Sequence, residues 1–150
     1  MKLVFDSDIL IDHFRSGDLH GSFAAAIDRS EIYMSSVVAM ELRAGCKRPG
    51  EIGVLERFLR PFEVSRRIVA PDHRACVQAG AVLGALGAKL GLTIEKRREM
   101  GNDVLIATSA LSIGAAVITR NRSDFSLISR CLPVVWYGSV EKFLAAAGYG

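Results

Sequence analysis

Cysteine is scarce in this 150-residue chain: Cys46, Cys76 and Cys131 are odd in number, far apart and form no Cys-x-x-Cys. That argues against a zinc ribbon and a disulfide framework, and favours a reduced, cytoplasmic setting. No apolar run is long enough to span a bilayer. The opening MKLVFDSD places acids where a signal peptide would continue apolar, so neither export nor membrane anchoring is expected. No repeat, low-complexity tract or linker interrupts the chain, which leaves one domain over residues 1–150. His13, His20 and His73 lack ligand spacing and are not expected to carry chemistry.

Half the residues are apolar, enough for a sizeable core and too many for a disordered chain. KLVF (2–5), EIYMS (31–35), AAVIT (115–119) and LPVVWY (132–137) read as strands, and PFEVS (61–65) as a short one. Helices are expected over 7–15, 18–29, 36–45, 51–60, 72–90, 102–113 and 139–147, with a helical turn in NRSDFSLI. TIEKRREMG (93–101) reads as a polar connection. Trp136 and the apolar stripes at 76–92 and 139–147 read as packing or dimer surface. Strands alternating with helices predict an α/β fold with a mostly parallel central sheet flanked by helices. In such folds ligands bind beyond the carboxyl ends of the strands.

Four acids stand beside strand ends or on helices near their starts: Asp6 after KLVF, Glu41 in SSVVAMEL, Asp103 in GNDVLIA and Asp124 in TRNRSDF. Singly, each has an ordinary explanation. Asp6 and Asp124 directly follow strands and suit helix N-caps, Asp103 suits a first turn, and Glu41 suits a solvated helix face. Glu41, however, shares its helix face with Val37, Val38, Ala44 and Gly45, and Asp103 shares its own with Met100, Ile106 and Ala107. Acids on apolar faces need partners, because unpaired carboxylates are costly to desolvate. Arg43 and Arg98 are candidates, but one divalent cation serves several acids at once.

A carboxylate cluster therefore points to Mg2+ or Mn2+, which takes oxygen ligands and commonly shares its shell with phosphate. Net charge supports the same direction. The formal charge is +3, and without the four acids 12 acidic residues would face 19 basic ones, an excess of seven positive charges. Such a balance suits a polyanion. Arg98, Arg120 and Arg122 would border the cluster and bind backbone phosphates of a polyanion, whereas Lys96 and Arg97 fit equally well as a solvated loop. Together these features fit phosphodiester hydrolysis.

The segments LVFDSDILID, SSVVAMELRAG, GNDVLIATSAL, AAVITRNRSDF and LPVVWY, in this order, resemble PIN-domain ribonucleases, specifically the VapC-type toxins of toxin–antitoxin pairs. The resemblance spans nearly the whole chain. It implies that Asp6, Glu41, Asp103 and Asp124 are the metal-binding and catalytic acids, with Ser7, Thr119 and Asn121 as supporting polar residues. It further implies an RNA substrate such as tRNA or rRNA, a VapB-type antitoxin, a homodimer, and operator DNA bound only through the antitoxin. Asp8 stands where many relatives carry a neutral residue; it suits a supporting acid beside the site, a local helix-start residue or a surface charge, and the helix-start reading is preferred. Two alternatives compete. Asp6-Ser7-Asp8 also evokes a haloacid-dehalogenase-like phosphatase, although Thr119 then lies on the wrong side of the late acidic motif and Glu41 has no role. A binding module acting with an antitoxin on DNA would not need all four acids.

Overall fold

The computed structural model of the chain describes residues 1–16 and 20–148; the side chains of 15–23 stand outside the description. Three longer strands and two short edge strands assemble in the order β3-β2-β1-β4-β5, all parallel. They are β1 (Lys2–Phe5), β2 (Glu31–Ser35), β3 (Ile68–Val69), β4 (Ala115–Ile118) and β5 (Trp136–Tyr137). The two central strands, β1 and β4, are apolar without alternation, and Leu3, Val4, Val117 and Ile118 are fully buried. Continuous apolar strands are what a sheet covered on both faces requires. Their register sets Phe5 opposite Ile118. The residues just beyond, Asp6 and Thr119, therefore emerge side by side.

The connecting helices are α1 (Ser7–Ser16), α2 (His20–Arg29), α3 (Ser36–Gly45), α4 (Pro49–Val64), α5 (His73–Leu90), α6 (Ile94–Glu99), α7 (Gly101–Ser112), α8 (Arg122–Ile128) and α9 (Val140–Ala146). Several starts carry the side-chain caps that orphan helix N–H groups need. Ser35 Oγ accepts from Val37 N at 3.2 Å, and Asp72 Oδ1 from Ala75 N at 2.8 Å. Gly91 ends α5 in the left-handed region, at φ 68°, where a side chain would be strained. Val38, Leu86, Met100, Val104, Ile106, Phe125 and Phe143 fill the core between helices and sheet. Among the described residues, no helix is long and apolar enough to cross a membrane.

Four expectations are corrected. Residues 61–64 continue α4 instead of forming a strand, because Phe58 and Phe62 lie one helical turn apart and pack ring to ring at 5.6 Å. The chain then reverses at Arg66, at φ 56°, and the edge strand forms at Ile68–Val69 against Met34 and Ser35. The polar stretch 93–101 holds a helix, α6, begun by Thr93, whose hydroxyl accepts from Lys96 N at 3.2 Å. The last strand shrinks to Trp136–Tyr137, preceded by a turn in which Val134 N donates to Leu132 O at 2.8 Å. Asp124 does not directly follow a strand; it lies in the first turn of α8, whose N-cap is Asn121. Of the helix expected over 18–29, residues 18 and 19 lie outside the described residues.

One close approach locks α6 to α5. A methyl group on Gly87 would sit 2.9 Å from the guanidinium carbon of Arg97, whose Nη1 donates to Leu83 O at 3.5 Å. Gly84, on the same helix, faces open space. Gly84→Ala should therefore gain about 1 kcal/mol in urea unfolding, the usual helix-propensity difference. Gly87→Ala should gain less or lose stability, and equal gains would show the Arg97 contact to be inconsequential.

Candidate active site

The site grows from the ends of β1 and β4. Asp6 N donates to Ile118 O at 2.9 Å, extending the ladder by one bond and fixing the Asp6 backbone. Its side chain is buried, with 4% exposure. One carboxylate oxygen, Oδ1, accepts from Ser7 N at 2.7 Å; the other, Oδ2, accepts from Thr119 Oγ1 at 2.8 Å. Thr119 is itself pinned, since its N–H donates to Tyr137 O at 3.0 Å. The Thr119 hydroxyl also accepts from Asn121 N at 3.0 Å, so it passes a proton donor toward Asp6 while orienting the next loop.

Asn121 then joins two more acids. Its Oδ1 caps α8, accepting from Asp124 N at 3.4 Å and from the Ser123 hydroxyl at 3.1 Å. That fixes its amide orientation and leaves Nδ2 to donate to Asp103 Oδ2 at 2.8 Å and Asp124 Oδ2 at 3.1 Å. Asp103 enters from the first turn of α7, one residue after Asn102. Asn102 Nδ2 donates to Glu41 Oε1 at 2.8 Å, tying α7 to α3. The other oxygen, Glu41 Oε2, is buried and has no hydrogen-bond partner. On the outer side, Lys96 Nζ stands 2.9 Å from Asp124 Oδ1.

These carboxylates feel one another. Burial, followed by the charges of Asp6, Asp124 and Glu41, pushes the Asp103 carboxyl up from 3.8 to about 7, against the lowering effect of Asn121. Burial and the nearby Asp8 charge push Asp6 up to about 6, while the Thr119 and Ser7 hydrogen bonds pull it down. Lys96 is raised, chiefly by its hydrogen bond to Asp124. The four acids thus form one electrostatic cluster at the carboxyl edge of the sheet.

The profile of the PIN domain matches residues 3–130 of the chain. The chain belongs to the PIN-domain family. No curated protein matches it. Solved structures of similar fold include VapBC-1 from nontypeable Haemophilus influenzae, at 22% identity and TM-score 0.69, covering 95% of this chain and 100% of that one. VapBC2 from Rickettsia felis, bound to a DNA fragment from its promoter, is 22% identical at TM-score 0.70, covering 91% and 98%. DNA-bound VapBC from Salmonella typhimurium is 21% identical at TM-score 0.66, covering 91% and 97%. At these identities the likeness establishes the shared fold.

Within this PIN domain the structure brings Asp6, Glu41, Asp103, Asp124, Thr119 and Asn121 into one network. Ser7 contributes its backbone N–H. The arginines are placed differently from one another. Arg98 is exposed on α6. Arg122 is exposed and lies against the buried Gly138, where an added methyl would meet its Nε at 2.7 Å. The Arg120 guanidinium turns away to pair with Asp12 on α1, and its backbone N–H donates to Asp8 Oδ2 at 3.0 Å.

Two participants escaped the sequence reading, and it left a third open. Asp8 bonds across to the β4–α8 loop, and its charge follows only burial in raising Asp6, so its role is not local. Asn102 looked like part of a helix start, yet holds Glu41. Lys96, left open between site border and solvated loop, pairs with Asp124. Asp8 carried a usable signal as the second acid of Asp6-Ser7-Asp8, whereas Asn102 carried none. The phosphatase reading is not favoured in a PIN domain in which Glu41 joins the cluster.

Among the described residues, no three His, Cys, Asp or Glu side chains stand close enough together to enclose an ion. The donor set still fits Mg2+, which retains several waters and takes one or two carboxylates directly. The orphaned Glu41 Oε2 is the observation in favour: a buried oxygen without a donor is completed by a cation or its water.

The raised carboxyls make a prediction for the metal-free protein. Asp6 and Asp103 hold protons more tightly folded than unfolded, so unfolding releases protons between pH about 4 and 7. Stability from these groups should therefore fall as pH rises through that window. Urea unfolding in chelator should show this decline, and Asp103→Asn should flatten it and exceed the wild type at pH 8 by about 1 kcal/mol. An unchanged pH slope in the variant would contradict the coupling.

Proposed function

We propose that this PIN domain is a metal-dependent endoribonuclease of the VapC type, the toxin of a toxin–antitoxin pair acting in the cytoplasm. The observation that carries the proposal is the linkage of the four acids through neighbouring donors, Asn121 to Asp103 and Asp124, Thr119 to Asp6 and Asn102 to Glu41, with a buried Glu41 oxygen left unpartnered. These acids would hold Mg2+ or Mn2+. The ion supplies polarisation of a phosphoryl oxygen and a water of lowered pKa.

The chain's own residues do the positioning. Thr119 keeps Asp6 in one orientation, and Asn121 keeps Asp103 and Asp124 facing one another despite their repulsion. Arg98 on α6 and Arg122 at the start of α8, both exposed, would take RNA phosphates; Arg120 joins them by leaving Asp12. A cavity of about 630 Å3 lies between α1, α3 and α4, lined by Glu41, Ile11, Phe14, Leu42, Val54 and Leu55. Its mixture of apolar wall and site carboxylate suits the segment of a VapB-type antitoxin. The likeness to VapBC assemblies supports that partner; a homodimer, with operator DNA reached only through the antitoxin, completes the proposal. The substrate class is structured RNA, such as tRNA or rRNA.

Two of those structures are DNA-bound, which keeps a second role in view: a binding module that acts with an antitoxin on DNA. The two readings separate in one assay. The purified chain should cleave RNA with Mg2+ or Mn2+, and lose cleavage with chelator and in Asp6→Ala. Thr119→Val and Asn121→Ala should fall about 10–100-fold, as expected for groups that orient metal ligands. Cleavage that persists in chelator and in Asp6→Ala would sink the proposed site, and operator binding without cleavage under any metal would favour the binding module. Expression should also arrest growth, and a neighbouring open reading frame should relieve it. Sequencing of RNA ends after brief expression, beside Asp103→Ala, identifies the target.

A further inference from the structure

Asn121 and Asn102 bring N–H donors to the acid cluster but no charge. Positive charge comes from Lys96. Its ammonium stands 2.9 Å from Asp124 Oδ1, an oxygen of a carboxylate whose side chain is only 8% exposed, and 3.9 Å from Glu99. Asp124 has its second oxygen on Asn121, so Lys96 occupies the direction from which another cation would approach Oδ1.

The location of Lys96 is built into the fold. Thr93 Oγ1 accepts from the backbone N–H of Lys96 itself, and Lys96 O accepts from Met100 N at 3.1 Å. Met100 is fully buried and leads directly into α7, which carries Asp103. The next residue, Arg97, lies over Gly87 of α5 and donates to Leu83 O. The short helix α6 is thus held at both neighbours of the site, and its lysine is aimed at Asp124 by those contacts. The side chain is 40% exposed, so it has open space into which it can withdraw.

We propose that Lys96 is an internal counter-ion of the carboxylate cluster, and that a divalent ion must displace its ammonium from Asp124 to bind. Lys96 then sets the metal concentration at which the site loads. A displaced ammonium remains at the rim of the site, where the phosphate of a substrate is its next partner. The inference rests on the metal-binding reading of the four acids.

The test is calorimetric titration of the purified, chelator-treated chain with Mn2+, with no substrate present. Lys96→Met keeps the length of the side chain and removes its charge, and should bind Mn2+ about three- to tenfold more tightly than the wild type. Lys96→Arg keeps the charge and should stay close to the wild type. Equal or weaker binding by Lys96→Met overturns the competition, as does tighter binding by Lys96→Arg to the same extent. Absence of Mn2+ binding in the wild type and both variants overturns the metal-binding reading and the competition together.

Discussion

Mutual repulsion among buried carboxylates is the constraint around which this molecule is arranged. Negative charges removed from water and set near one another are unstable unless protonated, hydrogen-bonded or neutralised. All three remedies are visible. Asp103 and Asp6 shift toward their protonated forms. Thr119, Asn121 and Asn102 supply donors. Lys96 supplies charge. Each remedy is partial, and Glu41 still keeps a buried oxygen without a donor. The proposed divalent cation would complete what the chain's own groups leave unsatisfied.

The sheet makes this arrangement stiff. Parallel register between β1 and β4 puts Asp6 and Thr119 abreast, and β5 holds the Thr119 backbone from the other side. From there the network passes through one hydroxyl and one amide to α8 and α7. Asn121 has three duties, as cap of α8, donor to Asp103 and donor to Asp124, so the helix start and the site are the same structure. The helix-end chemistry that stabilises the fold therefore also orients the acids.

Much of the fold was legible because the central strands are unbroken apolar runs and the helix starts carry Ser35, Asp72 and Ser139 as caps. The failures have local causes. Pro61 beside Phe62 mimicked a turn into a strand, but helical packing of Phe58 on Phe62 outweighed the proline signal. The charge-rich run at 93–101 has no buried residue in α6, so periodicity had nothing to detect there. Asp6, Glu41 and Asp103 could be singled out because each stands beside apolar residues, whereas Asp124, in the polar run TRNRSDF, was marked by the family resemblance. The roles of Asn102 and Asp8 could not, since they depend on contacts 61 and 112 residues away in the chain. The ion pair of the Arg120 guanidinium with Asp12 on α1 was likewise invisible in the sequence, because it joins residues far apart in the chain.

The central claim, that these carboxylates await a divalent ion, is tested most directly by the unfolding free energy of the chain with and without Mn2+ at pH 8 and at pH 5. A ligand that binds only the folded state stabilises it. Mn2+ should stabilise the protein at pH 8, and much less at pH 5, where Asp6 and Asp103 are largely protonated. No stabilisation at pH 8, or the same gain at both values, would contradict the account.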